Sequence, residues 1–212
     1  KLIETTNDKS REALYFRYKG LIYHLKFDPN NALTYYFLSQ RKYAAIPDSI
    51  NANLILSSIG SCYMMMGEYL SAKKYLTEAL QFAEKKNDSI TIANSCINLS
   101  YIHIDQKEHD IAEAQLLKAL RYVKTDMQKG RLINNLGEIY LNQNNYTKAL
   151  EHYRLALQTA YKANDKLIVS TILSNIGVLY MNSSQNDSAY FYFKKVVKLN
   201  PEHIDHYLLA QT

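Results

Sequence analysis

Residues 54–79 read LILSSIGSCYMMMGEYLSAKKYLTEA, and two helices follow from that stretch. Leu56, Ile59, Gly60 and Tyr63 stand at i, i+3, i+4 and i+7, the spacing of one face of a 3.6-residue helix. Ala72, Leu76 and Ala79 continue that period on a second helix. Gly67-Glu68 fall between the two, where the chain must turn.

Sliding the chain along itself shows the same hairpin again and again. Ala32, Ala72, Ala112, Ala149 and Ala189 lie 40, 40, 37 and 40 residues apart. Twelve residues before each stands Gly20, Gly60, Ser100, Gly137 or Gly177, and three after those come Tyr23, Tyr63, His103, Tyr140 and Tyr180. Four after each Ala come Tyr36, Leu76, Leu116, Tyr153 and Phe193, and three further on Ser39, Ala79, Ala119, Ala156 and Val196. Five columns kept in phase over five copies predict an all-α array of helix pairs. Four of the six glycines then lie inside helices, at about 1 kcal/mol each relative to Ala. A repeated cost needs a repeated reason. Without a Cβ, the first helix can lie close to the Ala-bearing second one, and Ser100 is the small substitute.

Helix starts repeat as well. Asp8, Asp48, Asp88 and Asp165 each precede the Gly or Ser column by 12 residues, and Asp126 by 11. A carboxylate there can accept from the free N–H groups of a first turn. Asp28-Pro29 reads as an N-cap followed by Pro at the first helical position. Residues 4–8 match residues 84–88, and Asp205 lies 40 residues after Asp165. The register therefore predicts units over about 8–46, 47–86, 87–124, 125–163 and 164–201. Residues 1–7 would close a preceding helix, and 202–212 would open a next or capping one, as in a piece of a longer array.

Composition agrees. Of 212 residues 47% are hydrophobic, enough for a core, while 3 Pro and 6 Gly are too few for a sandwich or barrel that turns every ten residues. Nineteen Tyr and no Trp point to many half-buried amphipathic positions. Twenty-five Lys and Arg against 20 Asp and Glu give +5, but the charges are scattered, so no nucleic-acid stripe is indicated. The pairs Lys73-Lys74, Lys85-Lys86 and Lys194-Lys195 read as solvated helix faces. No run of 18 apolar residues offers a membrane span, which leaves a cytoplasmic or periplasmic setting open. Cys62 and Cys96 form neither a disulfide framework nor a metal motif and read as buried thiols. No phosphate loop, nucleophile elbow or zinc-hydrolase helix occurs, so no enzyme and no cofactor is expected. His203 and His206, with Glu202 and Asp205 nearby, read as a frayed polar terminus rather than a metal site.

The columns resemble the tetratricopeptide repeat, a helix-turn-helix unit with small residues at positions 8, 20 and 27 and an aromatic at 11. With Gly60 at position 8, Leu56, Ile59, Tyr63, Ala72, Leu76 and Ala79 fill positions 4, 7, 11, 20, 24 and 27, and Leu199-Asn200-Pro201 looks like the usual unit ending. The resemblance covers about residues 8–201 and implies a right-handed α-solenoid of about five units. The family's Trp at position 4 is replaced by Phe16, Leu56, Cys96, Ile133 and Leu173, and Lys19 is an odd occupant of position 7. A period near 40 instead of 34 is similar to units of bacterial peptide-sensing regulators and cargo adaptors.

At about 100° per residue, positions 4, 7, 8 and 11 of each first helix share one side, and positions 2, 5, 6, 9, 12 and 13 the other. The resemblance implies that the second side lines a concave groove for an extended peptide or a partner helix. It carries Arg17, Tyr18 and His24, then Ser57, Ser58, Ser61, Met64 and Met65, then Asn94, Asn98, Tyr101 and Asp105. Arg131, Asn134, Asn135, Glu138 and Asn142 follow, and then Thr171, Ser174, Asn175 and Asn182. Asn98, Asn135 and Asn175 share position 6, a ladder suited to a peptide backbone or to neighbouring helices. The two-carboxylate clamp of some family members would fall on Ser57, Ser61, Asn98, Arg131 and Asn135; its leading Lys and final Arg are missing, although Arg131 could pair with an acidic peptide group. The Tyr190-Phe191-Tyr192-Phe193 run reads mainly as core and inter-repeat filler.

The expected function is a non-catalytic scaffold that binds a protein or peptide in its groove. The alternative is the input domain of a signalling protein, a transcriptional regulator or histidine kinase, whose output module lies outside these residues. Open ends of an array would expose apolar surface, a route to end-to-end self-association.

Overall fold

The structure is a computed structural model that describes the backbone of residues 2–44, 46 and 50–199, and the side chains of 10–44, 46 and 55–199. Asp48, Pro201, His203, Asp205 and His206 lie outside the described residues. Among those described there are ten α-helices and no strand. They pair in chain order as hairpins: α1 (Leu2–Leu25) with α2 (Pro29–Ala44), α3 (Ile50–Met65) with α4 (Tyr69–Lys86), and α5 (Ser89–Asp105) with α6 (His109–Leu120). Then come α7 (Asp126–Asn142) with α8 (Tyr146–Lys162) and α9 (Lys166–Asn182) with α10 (Asn186–Leu199). The chain divides into two compact units, Lys1–Tyr122 with three hairpins and Val123–Thr212 with two.

The caps follow the periodic carboxylates in part. Asp88 accepts from the N–H groups of Ile90 and Thr91 and from the Thr91 hydroxyl, and Asp165 accepts from the Ile168 N–H. Asp28 accepts from the Asn31 N–H just ahead of Pro29. Two starts differ from expectation. Thr125 caps α7 by accepting from Gln128, so Asp126 is the first helical residue and complements the helix dipole from there. The helix α1 runs unbroken through Asp8, since no Gly or Pro before Gly20 interrupts it. At Asn87, by contrast, the chain turns left-handed with φ 54° and ends α4.

The column of small residues lets the second helix lie close, as expected, and the side chain it admits is the one at position 24. A Cβ on Gly20, Gly60, Gly137 or Gly177 would come 2.6–2.7 Å from the side chain at position 24 of the same hairpin: Tyr36, Leu76, Tyr153 or Phe193. The bare backbone is the seat of that large residue, more than a surface for the Ala of position 20. Those alanines are buried all the same, four of them completely. Gly130 is a fifth helical glycine, and a methyl there would have ordinary clearance: its nearest neighbour would be the Ala160 nitrogen at 3.5 Å.

A second aromatic column explains much of the tyrosine content. Tyr23 stacks on Tyr35, Tyr63 on Tyr75, and Tyr180 on Tyr192, with ring centroids 5.4–5.5 Å apart and interplanar angles of 11–20°. Tyr140 meets His152 at 4.9 Å in the fourth hairpin. In the third the pattern breaks: His103 is buried, as expected of a packing histidine, and its Nδ1 lies 2.5 Å from Glu108 Oε2. That contact holds the Glu108 carboxyl below its usual range. Lys19 is accommodated at position 7 because its ammonium stands 4.7 Å from the centre of the Tyr35 ring. Cys62 and Cys96 are buried, and burial pushes their thiols up to about 12 and about 11. Tyr190 and Phe191 correct the reading of the aromatic run as filler: both are exposed on α10, while Tyr192 and Phe193 pack inward.

Candidate functional site: a polar cleft on the first helices

In the unit Lys1–Tyr122 the first helices of the three hairpins, with Tyr36 of α2, enclose a cleft of about 220 Å³. Its lining is Leu21 and His24 from α1, Tyr36, Ser57, Ser58 and Ser61 from α3, and Asn94, Ile97 and Asn98 from α5. The Gly20 seat carries Tyr36 to this place, and its hydroxyl is hydrogen-bonded by Ser58. Burial, above all, pushes the Tyr36 phenol up to about 12. His24 Nδ1 lies 3.3 Å from the Cys62 thiol behind the cleft, and desolvation lowers the imidazole's pKa. At neutral pH both groups are therefore uncharged.

Six of the expected groove residues line it, His24, Ser57, Ser58, Ser61, Asn94 and Asn98, while Met64 of α3 lies outside the lining. Ser57 is buried, Ser61, Asn98 and Met64 are half-buried, and Asn94 is exposed. Tyr101 is exposed and already has a partner, as does half-buried Arg17, whose charge reaches Tyr36. Sequence reasoning passed over Leu14, Leu21 and Leu25, which occupy positions 2, 9 and 13 of α1 and are all exposed. With Tyr18 they make an apolar shelf beside the cleft, and Ile97 supplies an apolar wall. The position count that selected the other groove residues, Met64 and Met65 among them, finds these leucines too when it is carried through α1.

In the unit Val123–Thr212 the amides are occupied differently. Asn175 donates from Nδ2 to Asn134 Oδ1 at 2.9 Å, joining α9 to α7, and Asn135 is buried and has a partner of its own. Arg131 is 3.5 Å from Asp165, the cap of α9. Glu138 is half-buried, and burial pushes its carboxyl up. The Tyr153 hydroxyl is buried without a hydrogen-bond partner, its pKa raised by burial and then by Glu138. Ser174 is half-buried; Asn182 is exposed, and its carbonyl accepts from the Tyr146 hydroxyl at 3.4 Å. Among the described residues no helix is long and apolar enough to cross a membrane, and no three His, Cys, Asp or Glu gather as a metal site would need.

Residues 51–125 and 129–202 match the family model of the tetratricopeptide repeat. Regulatory protein RapK of Bacillus subtilis is 24% identical over 202 residues, which are 93% of this chain and 54% of RapK. The chain thus spans about half the length of that curated relative. Among solved structures, the apo form of RapI superposes with a TM-score of 0.80 at 20% identity, over 94% of this chain and 74% of RapI. The Rap conjugation gene regulator of plasmid pLS20, solved in complex with the Phr* peptide, gives 0.73 at 17% identity, over 97% of this chain and 58% of that one. At these identities the structural likeness speaks for the fold.

Proposed function

From a chain that belongs to the tetratricopeptide repeat family, we propose a non-catalytic scaffold that holds a peptide or protein segment against its first helices. The carrying observation is the cleft of about 220 Å³, where hydroxyls and amides converge beside the apolar shelf of α1. Extended peptides need such donors and acceptors for their backbone and apolar ground for their side chains. The expected position-6 ladder divides under this reading. Asn98 faces the ligand, whereas Asn175 ties two helices together and Asn135 is already engaged. A peptide occupant is supported by the pLS20 regulator having been solved with one.

A random decapeptide display library panned on the whole chain tests this, with affinities of the recovered peptides measured by fluorescence anisotropy. Replacing Asn94 and Asn98 together by Ala should weaken binding about tenfold or more, as loss of two hydrogen bonds does, and leave the unfolding curve unchanged. Recovery of no binder, or binding indifferent to both changes, would refute the reading.

A second reading, an input domain of a signalling protein, is favoured by RapK being a regulatory protein. Mass spectrometry of the full-length endogenous protein would identify an output module, and further repeats with no such module would sink it.

A further inference from the structure

The cleft is narrow in its chemistry as well as in size. About 220 Å³ is below the roughly 300–1,000 Å³ of sites that enclose a drug-sized ligand and is ample for one side chain of a bound peptide. No carboxylate, ammonium or guanidinium lines it. The nearest cation named by its field, Arg17, has partners of its own and stays outside the lining. His24 is held neutral by desolvation, and Tyr36 is spoken for by Ser58. What remains to meet an occupant is the rim of Ser61, Asn94 and Asn98, groups that both donate and accept.

We propose that this cleft is a selectivity pocket for a single uncharged amide side chain, glutamine or asparagine, of the bound peptide. The inference rests on the peptide-binding reading and adds which residue the peptide must carry. An ammonium here would give up part of its hydration with no opposite charge in the lining, and a carboxylate would meet only the field of Arg17, which already has partners. An aliphatic side chain would strip water from the amides and hydroxyls of the rim and return nothing to them. A primary amide satisfies both kinds of group at once, and its methylenes lie along Leu21 and Ile97.

The test uses four capped amino acids as probes: the N-acetyl, N-methylamide derivatives of glutamine, glutamate, lysine and norleucine. Each is titrated into isotope-labelled whole chain while the side-chain amide resonances of Asn94 and Asn98 are followed by NMR. The glutamine probe should shift both resonances and saturate at concentrations at least about fivefold below the other three, a gap of about 1 kcal/mol. The near-isosteric Asn98→Asp puts a carboxylate in the rim and should reverse the order, with the lysine probe now ahead of glutamine. Equal or tighter binding of the glutamate, lysine or norleucine probe to the parent would overturn the inference, and so would four probes that leave both resonances still. Library peptides that shift these resonances and bind equally well with or without a glutamine or asparagine would overturn this inference alone and leave the scaffold reading standing. A library that yields no binder would overturn the scaffold reading and this inference with it.

Discussion

Two glycines on the same helix should respond to the same substitution with opposite signs. Gly137→Ala gains about 1 kcal/mol of helix propensity. Its new methyl, however, would lie 2.6 Å from Cδ1 and Cε1 of Tyr153 and 3.2 Å from Cγ. Carbon atoms settle at about 3.5–4.0 Å, so the overlap is near 1 Å. The Tyr153 ring is wholly buried and its hydroxyl is enclosed, which leaves no cheap direction of retreat. Overpacking of this kind costs about 1–3 kcal/mol and can cost more. The net expectation is a loss of up to about 2 kcal/mol. Gly130→Ala places its methyl 3.5 Å or more from its nearest neighbours on α8, so the propensity gain survives, at about 0.5–1 kcal/mol. Urea unfolding followed by circular dichroism should place the two midpoints about 1 M apart, with the parent between them. A Gly137→Ala protein as stable as the parent, or a Gly130→Ala protein less stable than Gly137→Ala, would refute the account of why the small column exists.

Three further outcomes can be checked on the same chain. Lys107 turns left-handed at φ 60° after α5, so Lys107→Gly should raise stability by about 0.5–1 kcal/mol in urea, and a loss would contradict the strain assigned to that turn. Asp88→Ala removes an N-cap with two backbone bonds and should cost about 1–2 kcal/mol, while Asp126→Ala, behind the true cap Thr125, should cost far less; equal losses would be the contrary result. Glu108 is held below its ordinary value of 4.5 by His103, so its contribution to stability is present above that value and is lost as pH falls through the lowered one. Glu108→Gln should therefore flatten the acid limb of a thermal-stability profile below about pH 4.5, and an unchanged limb would remove this pair from the acid response.

Much of the hairpin architecture was legible because each column is a contact repeated at fixed spacing. Ala72, Ala112 and Ala149 had to be buried, and they are. What escaped were contacts whose two halves look unremarkable alone. Tyr35, Tyr75 and Tyr192 fall one residue before position 24 and read as helix-surface tyrosines until Tyr23, Tyr63 and Tyr180 are seen lying flat against them. That Gly20 and Gly137 admit the second helix was legible, but not which side chain they seat, because helix periodicity orders faces without saying how far a ring from the facing helix extends. At the candidate site, periodicity put Ser57, Ser61, Asn94 and Asn98 on one side of their helices, and all four line the cleft. It could not show that Asn134 and Asn175 satisfy each other, since a hydrogen bond between adjacent first helices depends on rotamers and on the spacing of the helices. Leaving apolar positions of α1 out of the groove list also hid its leucines.

The stacked tyrosines have an optical consequence. With no Trp in the chain, near-ultraviolet absorption and circular dichroism come chiefly from tyrosine, and rings held parallel at about 5.5 Å couple their transitions. The first, second and fifth hairpins each carry such a pair, so each has a built-in chromophore that reports its own integrity. The third hairpin, where His103 holds Glu108 instead, has no such stacked pair among the described residues, so its Tyr101 supplies the background against which the coupled pairs can be read.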